Sequence, residues 1–250
     1  MTLPTTFLDR PIAHRALHDI AAGRPENSIE AIKAAINAGY GIEIDLQLSR
    51  DGAAMVFHDY HLGRLTHETG PFAQRTKADL QTIPLAGGAT VVPTLDQVLA
   101  EVSGQVPLLI EIKDQDGAMG PNVGALERAT AAALKTYKGD VAVMSFNPHA
   151  VIAFAAAAPE IPVGLVTSAF DPTDWAPLSA AVCAQLREIP DFDRTGACFV
   201  SHEVADLARP RVAEIKASGA PILCWTVKSA ATEAEARKIA DNVTFEGYLA

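Results

Sequence analysis

Apolar strand-like segments alternate with helix-like segments along most of the 250 residues, which predicts an α/β fold with a parallel sheet. Eight such strands in a chain of this length predict a closed (β/α)8 barrel, the TIM barrel. Residues 1–250 are expected to form a single barrel domain. The predicted strands are residues 11–15, 41–47, 108–113, 141–146, 162–167, 197–202, 221–227 and 243–249.

Helix boundary signals between these strands support the same fold. Asn27 with Glu30 resembles a capping box at the start of a helix that Gly39 ends. Thr94 is expected to cap a later helix, and Asn147, followed by proline, opens an alanine-rich one. Each helix follows a predicted strand, as a barrel of this class requires.

Residues 50–93 interrupt the alternation of strands and helices. A connection this long in a compact barrel is usually functional, so we interpret the segment as an insertion over the mouth of the barrel. Asp51-Gly52 is a strong signal for a two-residue hairpin turn. Such a turn pairs residues whose numbers sum to about 103, and it therefore places Asp45 opposite His58.

Composition and charge exclude several classes of protein. The net charge of −10 argues against partners with many phosphates, such as nucleic acid, and against an anionic membrane surface. The chain has no apolar run long enough to span a bilayer and no visible secretory leader. Cys183, Cys198 and Cys224 lack metal-like spacing and are expected to be buried thiols in a reducing compartment, the cytoplasm. These patterns predict a small-molecule partner and leave the oligomeric state open.

Carboxylates interrupt two of the apolar strands. Alternation along a strand places Glu43 and Asp45 on one face of the second strand, and Glu111 lies within the third. Buried carboxylates need a counter-charge, hydrogen bonds or a metal ion. Three oxygen ligands from adjacent strands therefore predict a site for one hard divalent cation, Mg²⁺ or Ca²⁺. The alternative, that the first two acids are the solvent side of an edge strand, is disfavoured by the third acid.

Basic side chains and imidazoles are predicted near the same strand ends, where active sites of TIM barrels lie. Arg15 and Lys113 are suited to holding a phosphate. His14 and His58 are suited to proton transfer at neutral pH, because the usual pKa of histidine is about 6.5. The set fits hydrolysis of a phosphodiester. Each assignment has a simpler alternative. His14 could be a buried core histidine, His58 could belong to a surface turn, and Lys113 could form a structural ion pair with an acid. For the other histidines, a structural role is expected in most cases, and His202 is the best candidate for an exception because of its position; they are His18, His61, His67, His149 and His202.

Short motifs occur in a fixed order along nearly the whole chain. They are His14-Arg15, PENS at 25–28, EIDLQLSRDG…VFHD from residue 43, IEIK from residue 110, SF at 145–146, WTV at 225–227 and EGYL near the end. Separately these motifs are weak, but in this order the sequence resembles the glycerophosphodiester phosphodiesterase family. The resemblance implies a TIM barrel with an insertion after the second strand. It also implies metal-dependent hydrolysis of glycerophosphodiesters to sn-glycerol 3-phosphate and an alcohol.

The resemblance also implies roles for individual residues. They are an acid/base pair, His14 and His58; metal ligands, Glu43, Asp45 and Glu111; and substrate-binding residues, Arg15, Lys113, Glu26 and Trp225. The sequence departs from the family pattern at Ala16, where a glycine is usual, and at Lys228, where an asparagine is common. The closing Thr-Asp-x-Pro motif is absent.

Two other functions fit parts of the pattern. One is a phospholipase of C or D type that acts on lipid phosphodiesters, which the lack of an amphipathic or aromatic membrane-binding stretch disfavours. The other is a non-catalytic protein that binds a phosphate ligand, which the intact set of histidines and acids disfavours. Within the enzyme hypothesis, either water or the glycerol 2-hydroxyl attacks phosphorus, and both routes use the same two histidines.

Overall fold

Eight parallel strands close into a barrel in the computed structural model, which describes residues 1–250. Closure is achieved because the first strand pairs with both the second and the last. A ninth strand, β3, pairs antiparallel with β2 outside the parallel ring. The strands are β1 (Ile12–Ala13), β2 (Gly41–Leu48), β3 (Ala54–Val56), β4 (Leu108–Ile112), β5 (Val141–Ser145), β6 (Val163–Thr167), β7 (Phe199–Glu203), β8 (Ile222–Val227) and β9 (Asn242–Phe245). The predicted (β/α)8 barrel and its eight strands are confirmed.

All helices but the first lie between strands, whereas the first precedes β1 and packs its Phe7 with apolar residues of the barrel interior. The helices are α1 (Thr6–Asp9), α2 (Ile29–Ala38), α3 (Lys77–Leu80), α4 (Leu95–Val102), α5 (Ala125–Leu134), α6 (Pro148–Ala157), α7 (Ala180–Arg187), α8 (Phe192–Thr195), α9 (Pro210–Ala217) and α10 (Ala230–Ala236). The predicted caps Thr94 and Asn147 and the terminating Gly39 are confirmed. None of the helices combines the length and the apolar character that crossing a lipid bilayer requires.

The start of α2 differs from the prediction. Ser28 caps this helix instead of Asn27, and its Oγ accepts a hydrogen bond from the backbone N–H of Ala31 at 3.1 Å. Asn27 adopts a left-handed backbone with φ 59° and turns its side chain to Asp45. Both residue types cap helices well, so the sequence alone does not choose between two adjacent candidates. Because the Asn27 side chain is hydrogen-bonded to the buried Asp45, Ser28 is the residue that caps the helix.

The turn between β2 and β3 is wider than predicted. Residues 50–52 form the turn. The two flanking residues are joined by a hydrogen bond from the Ser49 N–H to the Ala53 carbonyl oxygen. The Ser49 hydroxyl donates to the Asp51 carboxylate and accepts from the Ala53 N–H, and Gly52 supplies the left-handed residue with φ 84°. The expected two-residue turn is therefore wrong.

The wider turn shifts the strand register by one residue. Asp45 lies beside Phe57, whose N–H donates to the Asp45 carbonyl oxygen at 2.9 Å, and not directly opposite His58. His58 follows the end of β3 and still reaches the same cavity as the acids of β2. The hairpin thus brings the histidine to the site, although the predicted pairing is wrong.

The segment after the hairpin has an apolar core of its own. Phe57 and Phe72 stack with ring centroids 4.8 Å apart. Nine buried side chains form this core: Met55, Phe57, Leu62, Leu65, Phe72, Leu80, Ile83, Leu85 and Val92. The core gives the long connection a fixed position, from which residues 58–61 line the cavity.

The interior of the barrel is apolar toward the amino-terminal ends of the strands and polar toward their carboxyl ends. Phe199 occupies much of this interior and is fully buried. Gly164 faces it, and a Cβ atom at that position would lie 2.4 Å from the Phe199 ring. The absence of a side chain at Gly164 therefore makes room for the aromatic ring.

We predict that Gly164→Ala lowers the free energy of unfolding by about 1–3 kcal/mol, the usual cost of overpacking a filled core. Urea denaturation measures the change. Gly63→Ala is the matched control, because its Cβ meets nothing closer than 3.9 Å, and its effect should stay within about 0.5 kcal/mol. The cost of Gly164→Ala should be smaller in a Phe199→Leu background than in the wild type, and an equal cost in both would show that the ring is not the cause.

Candidate active site

A cavity of about 590 Å³ lies at the carboxyl ends of the barrel strands. It has a charged side, formed at β1, β2, β4 and the segment after β3, and an aromatic side formed by the later strands and the loops that follow them. Seven of the nine predicted site residues line it: His14, Arg15, Glu43, His58, Glu111, Lys113 and Trp225. The remaining two, Asp45 and Glu26, bind directly to residues of this set.

The three predicted acids form a buried cluster on two neighbouring strands. Asp45 on β2 pairs in register with Glu111 on β4, and Glu43 lies on the same face of β2. One carboxylate oxygen from each lies within 4.8 Å of the others. All three are at most 6% exposed, so the alternative of a solvent-facing edge strand is wrong.

A basic side chain, a side-chain amide and a backbone N–H hold the acids in place. Lys113 Nζ lies 2.7 Å from Asp45 Oδ1 and 2.6 Å from Glu111 Oε1. Asn27 Nδ2 donates to Asp45 Oδ2 at 2.9 Å, and the Arg15 backbone N–H donates to a Glu43 oxygen at 2.8 Å. Every member of the cluster thus has a partner, as buried charges require.

The charges in the cluster are unequally compensated. Burial opposes ionisation of Asp45, but Lys113, His58 and Arg15 outweigh it and lower the pKa of that carboxyl. Burial raises the pKa of Glu43 well above its usual value, and repulsion from Asp45 and Glu111 adds to the increase. Additional positive charge would therefore stabilise the ionised forms of these acids. A set of three oxygen ligands that lacks this charge suits a hard divalent cation such as Mg²⁺ or Ca²⁺.

His14 is oriented by a carboxylate from the far end of the chain. Its Nδ1 lies 2.6 Å from Oε2 of Glu246, which is 232 positions away. Glu246 begins the EGYL motif, but the sequence analysis gave it no role. Lys228 Nζ lies 2.8 Å from the other oxygen of Glu246. The hydrogen bond from His14 lowers the pKa of Glu246, which keeps it a carboxylate. Burial lowers the pKa of His14 more than Glu246 raises it.

His58 has an equivalent arrangement built from nearby residues. Its Nδ1 lies 2.7 Å from Asp59 Oδ1, and Arg64 donates to both oxygens of Asp59 at 2.7 Å. Burial opposes ionisation of Asp59, but the bonds from Arg64 and His58 outweigh it and lower its pKa. Each histidine therefore has a carboxylate at Nδ1, and each carboxylate has a basic partner.

Glu26 links the two halves of the charged side. Its carboxylate accepts a hydrogen bond from the Arg15 guanidinium at 2.8 Å and two from Arg64 at 2.8 and 2.9 Å. Burial raises the pKa of Glu26, but Arg64 and Arg15 outweigh that effect and lower it. An ionic network thus runs from the partner of His58 to the residue beside His14.

The aromatic side of the cavity contains Trp225 and two residues to which the sequence analysis gave no role. The Phe146 and Trp225 rings are 5.4 Å apart and perpendicular, and the Phe146 and Trp175 rings are 4.8 Å apart at 62°. Trp225 Nε1 donates to the Ser201 carbonyl oxygen at 3.1 Å, which fixes the orientation of its indole. Phe146 belongs to the SF motif, whereas no sequence signal marks Trp175.

His202 does not reach the cavity. It is completely buried on the outer side of β7, where Nδ1 lies 2.7 Å from the Thr167 hydroxyl and Nε2 lies 3.3 Å from an Asp206 carboxylate oxygen. Its position at a strand end suggested a functional role, but alternation along the strand directs its neighbour Ser201 into the barrel instead. The interpretation of His202 as the best further candidate is wrong.

Comparisons with known proteins identify the family and the fold. A model of the glycerophosphoryl diester phosphodiesterase family matches residues 14–243. YhdW of Bacillus subtilis is 28% identical over 234 residues, which cover 90% of this chain and 88% of that protein. An Oleispira antarctica phosphodiesterase, solved in complex with the product sn-glycerol 3-phosphate, has a TM-score of 0.78 at 23% identity, over 96% of this chain and 94% of its own. A Parabacteroides distasonis glycerophosphodiester phosphodiesterase has a TM-score of 0.74 at 23% identity, over 94% and 91%.

The solved structures share the fold of this chain, and the family match spans most of its length. The matched range includes all nine predicted site residues, from His14 to Trp225. The protein is therefore an enzyme of the phosphoric diester hydrolase class, and the chain belongs to the glycerophosphoryl diester phosphodiesterase family.

Proposed function

We propose that this enzyme hydrolyses glycerophosphodiesters to sn-glycerol 3-phosphate and an alcohol, with one divalent cation and with His14 and His58 as the acid/base pair. One observation carries the proposal: a cluster of three buried acids shares a cavity with two histidines, each of which has a carboxylate at Nδ1. The product bound to the Oleispira antarctica phosphodiesterase supports the choice of substrate.

Glu43, Asp45 and Glu111 are the residues that would hold the cation. Their ligand atoms lie within 4.8 Å of one another. Burial, and after it repulsion from Asp45 and Glu111, raises the pKa of Glu43, and a cation beside it would favour its ionised form. A bound Mg²⁺ or Ca²⁺ supplies charge neutralisation at a phosphoryl oxygen. The donor set contains only oxygen, which is the preference of these ions.

Arg15 and Lys113 would hold the phosphate beside the acids. Both line the cavity, and each contacts Asp45, with Lys113 Nζ 2.7 Å and Arg15 Nε 3.5 Å away. The Arg15 Nε atom has no hydrogen-bond partner in the protein. A phosphate oxygen would satisfy this buried donor, and a guanidinium binds phosphate well.

The two histidines provide the proton transfers. A carboxylate only accepts hydrogen bonds, so the proton of a neutral imidazole lies on Nδ1 and its Nε2 is free to accept another. One histidine, neutral at the start, takes the proton of the attacking hydroxyl through Nε2. The other, protonated at the start, gives its Nε2 proton to the leaving alkoxide. Glu246 and Asp59 stabilise the positive charge on whichever imidazole is protonated.

The attacking hydroxyl belongs to water or to the glycerol 2-hydroxyl of the substrate. In the second case, a cyclic glycerol phosphate forms first and is then hydrolysed. Both routes use the same proton transfers at His14 and His58. Transient cyclic glycerol phosphate during turnover would exclude direct attack by water as the sole route.

We predict that removal of divalent cations with a chelator abolishes the release of glycerol 3-phosphate from glycerophosphocholine, and that Mg²⁺ or Ca²⁺ restores it. Because the cation binds the folded state and not the unfolded one, adding it should also raise the midpoint of thermal unfolding. Glu43→Gln removes one ligand and should reduce that increase. Full turnover in excess chelator would contradict the assignment of the acid cluster as a metal site.

We predict that His14→Ala and His58→Ala each lower kcat by roughly 10²- to 10⁴-fold, the usual contribution of general acid/base catalysis. Steady-state kinetics on metal-saturated protein measure the loss. His67→Ala is the control, because His67 is exposed and lies outside the cavity, and its kcat should match the wild type. Near wild-type kcat in both active-site variants would rule out this pair.

We predict that Glu246→Gln lowers kcat at least about tenfold with little change in KM, because the amide no longer fixes the proton on Nδ1 of His14 or stabilises its charged form. Lys228→Met is the matched control. It removes the exposed ammonium that contacts Glu246 but leaves the bond to His14, and its kcat should change much less. A purely structural role for Glu246 would instead lower stability and leave the kcat of the folded protein unchanged.

A further inference from the structure

The aromatic side of the cavity differs in charge from the side that holds the acid cluster. The histidine, arginine and lysine residues that line the cavity all lie at or before position 113. From position 114 to 226 the lining contains no basic residue and two aspartates, Asp114 and Asp174. This half of the cavity is therefore apolar and aromatic, with a negative charge and no cation to balance it.

Three rings form the wall of this half. Phe146 meets Trp225 at 90° and Trp175 at 62°, so the rings form two corners and not a flat stack. Phe170, which is buried, packs against Trp175 with centroids 4.7 Å apart and supports it. Rings arranged in corners present π faces in more than one direction, which is how aromatic side chains surround an organic cation.

The two aspartates are not equivalent. Asp114 is buried, and its carboxylate accepts hydrogen bonds from Asn147 and from backbone N–H groups of its own loop. Asp174 is exposed, and its carboxylate makes no hydrogen bond or salt bridge within the protein. Its charge is therefore available to a ligand that lies against the neighbouring Trp175.

We infer that this aromatic side binds the alcohol part of the substrate, and that the preferred alcohol carries a quaternary ammonium group, as choline does. The inference rests on the proposed function, because the phosphate must lie between the two sides. A quaternary ammonium has no N–H to donate, so it needs π faces and a nearby negative charge. Phe146, Trp175 and Trp225 supply the faces, and Asp174 supplies the charge.

A binding experiment tests this inference without turnover. The chain has two tryptophans, Trp175 and Trp225, and both line the cavity, so fluorescence excited selectively in tryptophan reports on this site. Choline should change the fluorescence saturably. The neutral isostere 3,3-dimethyl-1-butanol, in which carbon replaces nitrogen, should bind about 2- to 30-fold more weakly, the range expected of cation–π contacts. Equal affinities, or no saturable change with choline, would overturn the inference.

A kinetic experiment tests the same preference during hydrolysis. The ratio of kcat/KM for glycerophosphocholine to that for its 3,3-dimethylbutyl isostere should lie in the same 2- to 30-fold range, about the strength of cation–π contacts. Trp175→Leu and Asp174→Asn should both lower the ratio, whereas Trp175→Phe, which retains a π face, should preserve most of it. A ratio near one in the wild type would overturn the inference, and a ratio unaffected by Trp175→Leu would overturn the role of that ring.

The two experiments separate this inference from the proposed function. Release of glycerol 3-phosphate from either ester supports the proposed function, whatever the ratio between them. If neither ester is cleaved by metal-saturated protein, the proposed function fails, and the fluorescence titration still decides whether choline binds. A preference for ethanolamine, a primary ammonium, over choline would indicate that Asp174 alone recognises the alcohol, and it would overturn the role of the rings.

Discussion

The compensation of buried negative charge is the constraint on which the rest of the site depends. Three carboxylates inside the barrel cannot remain there unless positive charge and N–H donors surround them. Lys113, Arg15 and Asn27 supply this compensation, and each is held in turn by the strand or loop that carries it. The conformation of the loop before α2, including its left-handed residue, follows from this requirement.

The two histidines show the same physical solution reached from different parts of the chain. His58 has its carboxylate next to it in sequence, and the segment after the hairpin carries both. His14 receives Glu246 from beyond β9, the strand that closes the barrel beside β1. Glu26 connects the groups around both histidines through two arginines. The proposed acid/base pair thus belongs to one ionic network.

The sequence predicted the parts of the structure that depend on local pattern. Strand alternation was sufficient to place Glu43 with Asp45 and to assign the barrel, because eight repeats of strand and helix leave few other closed arrangements. It failed where two local solutions have similar energy, as in the helix cap beside Asn27. It gave no role to Glu246, although the EGYL motif includes this residue, or to Trp175, because both roles depend on contacts between distant segments.

The separation of 232 positions between His14 and Glu246 has a consequence for how activity is acquired during folding. Contacts between distant residues form late, because the chain must first lose the entropy of a long loop. His58 gains its carboxylate as soon as its own segment folds, whereas His14 gains its partner only when the last strand joins the first. On the proposed mechanism, a partly folded barrel would hold one oriented histidine and not two, and closure of the barrel would complete the acid/base pair.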